Sequence, residues 1–254
     1  MSKQVKVIIP FYREELNKYE RASLANTMNI LSAHPIVWLK PAGLNLKEFT
    51  EIYPEAEIME VSSQWLGKEN GVTGYNIMMM SEGFYNLFTD TEYILICHLD
   101  AWIFRDELSQ WCQKGYDLVA PPWPERIRYK YFPLKQFMHF QQRLSPERIF
   151  RSQLFGKIGN GGLSLRNVSA CHMACRQYAD KIDFFLSKGY YEDVFWALIP
   201  KSLHYPTYKV ALQFAYDTQP KLCHRQNHQQ LPMGCHGFMH KSRIQFWKQF
   251  IHIQ

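Results

Sequence analysis

Four short stretches of the 254-residue chain combine residues that could do chemistry. In His98-Leu99-Asp100, the acid follows the wholly apolar run Ile94 to Cys97. A carboxylate at the end of a buried strand is held at the sheet edge, where it can bind a hard divalent cation against a diphosphate. Many strands end in Asp before a turn, so the motif carries little weight alone. In Asn160-Gly161-Gly162, the paired glycines either make a tight turn or let a ligand approach the backbone closely. Glu192-Asp193 sits among Tyr190, Tyr191, Phe195 and Trp196. Adjacent acids at a helix start can simply favour its dipole. Aromatic flanks, however, exclude water and raise a carboxylate toward the strength of a general base. In Gly234-Cys235-His236-Gly237, glycines free the backbone on both sides of an imidazole, which is either structural or a metal ligand.

The elements around these stretches read as an α/β alternation. Val5 to Pro10 is a short β-branched run ended by proline, the pattern of a buried parallel strand. Leu16, Leu24, Met28 and Leu31 recur at roughly helical spacing between Glu14 and Ala33, and Ile36 to Leu39 is a second buried strand. Glu57 to Val61 gives a third strand, Tyr75 to Phe88 a helix, Tyr93 to Leu99 a fourth strand and Asp117 to Ala120 another. Such alternation predicts a mostly parallel mixed central sheet covered on both faces, with ligands at the carboxyl ends of its strands. Two carboxyl ends stand out, Pro10 to Glu14 and His98 to Trp102.

Length and composition fit one folded domain, 1–254, with 46% hydrophobic and 20% charged residues. No apolar run approaches the roughly 18 residues needed to cross a bilayer, and the start lacks the marks of a signal peptide, so the cytoplasm is the expected compartment. The six cysteines form no CxxC and are read as reduced thiols; three precede histidines, which leaves structural zinc as a minor alternative. Charge is unevenly spread. Between Glu125 and Lys157 lie eight Lys/Arg against two acids, an excess equal to the formal +6 of the whole chain, interleaved with Tyr129, Tyr131, Phe132, Phe137 and Phe140. This basic aromatic insertion, about 125–157, is either a plain solvated face or a surface for anionic partners, closing over a bound substrate as a lid. In the C-terminal stretch, Ile244, Trp247 and Ile251 with nearby Lys241, Arg243 and Lys248 either dock on the core or face a membrane surface peripherally.

In this order, the segments VIIPFYRE, GYNIMMMSEGFY, YILICHLDAWIFRDELSQWCQKGYDLVAPPW, GNGGLSLR, EDVFW and LPMGCHGF resemble glycosyltransferases of the Rossmann-like GT-A fold. The resemblance runs from about Val5 to Trp247 and is strongest to a glycosyltransferase-like family catalogued only as a domain of unknown function. It implies a nucleotide-diphosphate sugar donor, a glycan, lipid-linked or other hydroxyl acceptor, and a divalent cation, Mn2+ or Mg2+; nucleic acid is not an expected partner. Residue by residue, it implies that Pro10, Phe11, Tyr12 and Glu14 flank the base and ribose and that Asn76 reaches the nucleotide. His98 and Asp100 stand where an Asp-x-Asp motif is usual, with Asp100 and His236 holding the metal. Asn160, Gly161 and Gly162 back the sugar, and Asp193 or Glu192 is the acceptor-side base, with Asp193 favoured and Glu192 orienting the acceptor or the base. His98 in place of the motif's first aspartate is the one departure, and it bears on ribose contact and metal dependence.

One base on the acceptor side is what single-displacement inversion requires, so the expected activity is an inverting, metal-assisted hexosyltransferase-like transfer in glycan biosynthesis. The alternative is a catalytically inactive protein that binds a nucleotide sugar or glycan. A nucleotidyltransferase would be expected to carry a glycine-rich phosphate loop after the first strand, and PFYREE has no glycine.

Overall fold

The computed structural model describes residues 3–67, 70–125, 127–143 and 151–253. Arg126, Glu147 and Arg148 of the basic segment therefore lie outside the described residues.

The first strand, β1 (Lys3–Pro10), is the axis of a six-stranded sheet. β2 (Ile36–Pro41) and β3 (Glu57–Val61) extend the sheet to one side, and β4 (Thr91–Cys97) pairs with β1 on the other; all four run parallel. Two further strands of this sheet, β6 (Leu118–Val119) and β7 (Leu163–Asn167), come later in the chain, and β7 runs antiparallel to both neighbours. The order is β3-β2-β1-β4-β7-β6, so the chain switches direction of travel between β1 and β4. Alternation sorts the side chains. Val5, Val7, Ile9, Tyr93, Leu95 and Cys97 pack on one face against Leu24 and Met28, while Ile8, Ile94 and Ile96 pack on the other with Phe84, Phe88 and Trp196.

The first helix spans Lys18–Ile30, shorter than the periodicity suggests, because Asn17 caps it. Asn17 Oδ1 accepts from the backbone N–H groups of Tyr19 and Glu20, and Glu20 Oε2 accepts from that of Asn17, which completes a capping box. Residues 11–16 are thereby left as a loop above β1. The single helix expected over Tyr75 to Phe88 is two, Gly71–Met79 and Glu82–Asn86. The break falls at Ser81, whose Oγ accepts from Phe84 N at 3.2 Å and starts the second helix.

A small second sheet joins β5 (Trp102–Ile103), β9 (Gly234–Cys235) and β8 (Ala215–Tyr216) in the order β5-β9-β8. It carries the C-terminal part of the chain back to the end of β4. The C-terminal stretch docks on the protein body: Trp247 and Ile251 are buried with Tyr216, Cys235 and Phe238, which removes this apolar face from a membrane-surface role. All six cysteines are free and buried. No helix among the described residues is long and apolar enough to cross a membrane.

Replacing Asn17 by Ala leaves two N–H groups of the first helix without their cap. We expect a loss of about 1 kcal/mol, read as a lower urea midpoint with an unchanged slope.

Candidate active site

At the carboxyl ends of β1 and β4, where the strand order reverses, a cleft of about 630 Å³ opens. Tyr12 and Arg13 reach it from the loop after β1, and Tyr75 and Asn76 from the helix Gly71–Met79. His98 lines it after β4, Asn160, Gly161 and Gly162 ahead of β7, Tyr191, Glu192 and Asp193 at the start of the helix Glu192–Leu198, and His236 after β9.

On one side, His98, Asp100 and His236 each offer a ligand atom, all within 4.8 Å of one another. This is the one such group of His, Cys, Asp or Glu among the described residues, and none of the cysteines belongs to it. His236 Nε2 lies 3.1 Å from Asp100 Oδ1, and its buried Nδ1 lies 3.5 Å from Asp217 Oδ1. Burial favours the neutral ring, but Asp100 and Asp217 outweigh it and lift the His236 pKa to about 10. For Asp100, burial acts upward, yet His236 and His98 hold the carboxyl well below the usual range. His98 behaves oppositely: burial first, and then the neighbouring His236, lower its pKa to about 4. It is a neutral imidazole at pH 7, with Nε2 2.8 Å from Tyr75 Oη. A neutral ring is a ligand without competition from a proton, so its presence in place of a carboxylate leaves the donor set usable.

The glycine pair is required by what crowds it. A Cβ on Gly161 would stand 1.8 Å from Glu192 Oε1, and one on Gly162 2.0 Å from His236 Nε2. These glycines make room for the two functional sides to approach β7 from opposite directions.

On the other side, the two adjacent acids have different surroundings. Glu192 is buried, and its Oε2 accepts from Arg166 Nη2 at 3.0 Å. Arg166 also donates to Tyr85 Oη at 2.9 Å and to Ser164 Oγ at 3.0 Å, and lies over the Trp196 ring. Among the described residues Asp193 makes no salt bridge, and His236 acts on it only weakly. Burial, and then the nearby Glu192, raise its pKa to about 7, while Val194 N donates to its Oδ1 at 2.7 Å. Asn76 Oδ1 accepts from Glu192 N at 2.9 Å and ties the two helices that flank the cleft.

Some expected site residues stand elsewhere. Phe11 does not flank the cleft: the alternation that sets Val5, Val7 and Ile9 on one face carries its ring into the core, 5.1 Å from Trp38 and 6.0 Å from Phe49. Pro10 closes β1 within the sheet, and Glu14 accepts from Asn45 N at 3.0 Å, outside the cleft lining. Tyr12 alone of that group lines the cleft. Of the basic segment, Arg128, Lys135 and Lys157 do not line it either. Conversely, Tyr75, Arg166 and Asp217 are not singled out by the sequence, and Arg243 stands out there only as a cation of the C-terminal stretch. Asp217 gathers Arg243, Asn160 and His236 around one buried carboxylate. No motif marks it, since its partners lie far apart in the chain.

The family described as "Protein of unknown function (DUF5672)" matches residues 55–236, a stretch that includes the His98, Asp100, Gly161, Asp193 and His236 positions but not the loop after β1. No curated protein matches significantly in sequence. Among solved structures, the galactosyltransferase LgtC in complex with donor and acceptor sugar analogs is 11% identical, with a TM-score of 0.55 over 91% of this chain and 86% of its own. The mannosyltransferase Ktr4p from S. cerevisiae in complex with GDP is 9% identical, with a TM-score of 0.50 over 80% of this chain and 69% of its own. At these identities the likeness is one of fold, and the fold is GT-A.

Because His236 titrates near pH 10, a cation that uses its nitrogen must displace a proton at pH 7. Calorimetric titration of manganese with a nucleoside diphosphate, in buffers of different ionisation enthalpy, should report release of about one proton per ion. His236→Ala should abolish that release. If the wild-type protein binds the ion without releasing a proton, His236 is not a ligand.

Proposed function

Since the chain belongs to the family described as a protein of unknown function (DUF5672) and has the GT-A fold, we propose that it moves a sugar from a nucleotide-sugar donor to an acceptor hydroxyl. One observation carries this reading. His98 and His236, which line one cleft at the switch point of the sheet, form with Asp100 just behind them a triad able to hold a metal, and Asp193, a carboxylate of raised pKa, lines the same cleft.

His98, Asp100 and His236 would hold a divalent ion, which would neutralise charge developing on the leaving diphosphate. Two imidazoles and one carboxylate suit manganese better than magnesium, which strongly prefers oxygen ligands. Asp193 would take the proton from the attacking acceptor hydroxyl. With a pKa of about 7 it is substantially ionised at neutral pH, and it is a stronger base than an ordinary aspartate. Glu192 is committed to Arg166 and would set the position of Asp193 instead of sharing its role. Gly161 and Gly162 would let the sugar lie against the backbone, and Tyr12, Arg13 and Asn76 would meet the nucleotide. One base on the acceptor side favours inversion.

A panel of nucleotide sugars, with and without manganese, tests the reading. We expect at least one donor to be hydrolysed slowly in a manganese-dependent way. Binding without turnover of any donor, with or without acceptors, would identify an inactive nucleotide-sugar-binding protein, for which the mutual Asp100–His236 ion pair is the supporting observation.

Asp193→Asn should lower transfer roughly 10²- to 10⁴-fold and leave donor binding nearly unchanged. The sign of the pH dependence follows from the base role: Asp193 works unprotonated, so wild-type kcat/KM should rise as pH increases through about 7. That limb should vanish in the variant. A profile flat between pH 6 and about 8 in the wild type would remove Asp193 as the base.

A further inference from the structure

Thirteen large apolar side chains are exposed among the described residues, and five of them fall within ten positions: Tyr131, Phe132, Leu134, Phe137 and Phe140. Phe132 is 80% exposed and Phe140 62%. A cluster of this kind on a water-soluble surface marks a binding face, because each ring left in water forgoes the free energy of burial. The helix Leu134–Arg143 sets Leu134, Phe137 and Phe140 along one side at three-residue spacing, while Lys135, Gln136 and His139 take the other. Met138, at the edge of the apolar side, is buried on the protein and anchors the helix; Tyr129 stacks near Phe155 at 5.0 Å and anchors the turn before it.

Charge decides what covers this face. The segment 125–157 holds eight Lys/Arg against two acids, and the rest of the chain is balanced. A second copy of the chain, docked face to face, would set that excess against itself, since a twofold contact pairs each patch with its own equivalent. A bilayer containing anionic lipid suits both properties: the rings can enter the interfacial region, while the positive charge of the segment, Arg128 and Lys135 among the described residues, draws it to the headgroups.

We propose that residues 131–140 form a docking element for an anionic membrane surface. The helix Leu134–Arg143 packs against Arg151–Leu154, which packs against Glu192–Leu198, the helix that starts with Asp193. Docking would therefore set the Asp193 side of the cleft two packed helices from the lipid. If the proposed transferase reading holds, an acceptor carried in the membrane would arrive on that side. The membrane contact itself does not depend on that reading.

Co-sedimentation with vesicles separates the two, because it needs no turnover. The protein should pellet with phosphatidylcholine vesicles containing about 30% phosphatidylglycerol, far less with phosphatidylcholine alone, and less in about 0.5 M salt. The triple change Phe132→Ser, Phe137→Ser and Phe140→Ser removes only exposed rings, so thermal unfolding should be unaltered while vesicle affinity falls at least about tenfold. Arg128→Glu with Lys135→Glu should weaken binding and flatten its salt dependence. Wild-type protein that ignores anionic vesicles, or a triple variant that binds as well as wild type, would overturn the proposal. So would a wild-type dimer in light scattering that the triple change dissociates, with no vesicle binding, which would assign the face to self-association.

Discussion

A guanidinium with no exposed surface has to find a partner for its N–H groups inside the protein, and the position of Arg166 on β7 makes that demand at the centre of the molecule. It sits opposite Ile94 in the sheet, on the face packed with Phe195 and Trp196, and is answered by Ser164, Tyr85 and Glu192. Removing one member of such a buried pair generally costs about 3–5 kcal/mol, a large part of the roughly 5–15 kcal/mol that separates folded from unfolded protein. The helix Glu192–Leu198 is thus drawn onto the sheet by its first residue. Gly161 has no side chain because Glu192 Oε1 occupies the space one would need. Asp193 follows one step round the helix, about 100° away, and is turned from the pair toward the cleft lining.

The cleft consequently has two electrostatic halves that differ in how their carboxylates are treated. Asp100 is kept ionised by imidazolium and Asp193 is pushed toward neutrality by burial and by Glu192. Two aspartates, one lining the cleft and one behind His236, with pKa values driven in opposite directions, are suited to opposite duties, the latter to hold positive charge and the former to exchange a proton. Gly161 and Gly162 stand between these halves and keep them close.

Much of this architecture was legible in residue patterns. Short β-branched runs ending in Pro10 and Cys97 mark β1 and β4, and the rule that ligands meet strand ends draws attention to Tyr12 and His98, which line the cleft, and to Asp100 beside His98. Local competition was less visible. Asn17 starts its helix later than hydrophobic spacing implies, and Ser81 divides a stretch that the spacing reads as one helix, because a side-chain cap outweighs periodicity at a boundary. Phe11 was misplaced because one more step of strand alternation, beyond the proline, sends its ring to Trp38. Arg166 lay within a motif that drew notice for its glycines, and its burial depends on β4 and Tyr85, far off in sequence. Asp217 is the extreme case: every contact that matters to it is made by tertiary folding.

The arrangement of the small sheet bears on how this protein matures. His98 and Asp100 emerge from the ribosome with β4, yet the third donor, on His236, comes more than a hundred residues later and reaches them only when β9 pairs with β5 at Trp102 and Ile103. Nascent chain that has built the parallel core therefore holds just two of the three donors, a weak grip on any ion. The group that could hold an ion is complete only when the last strand closes, so any ion it takes would be captured at the end of folding.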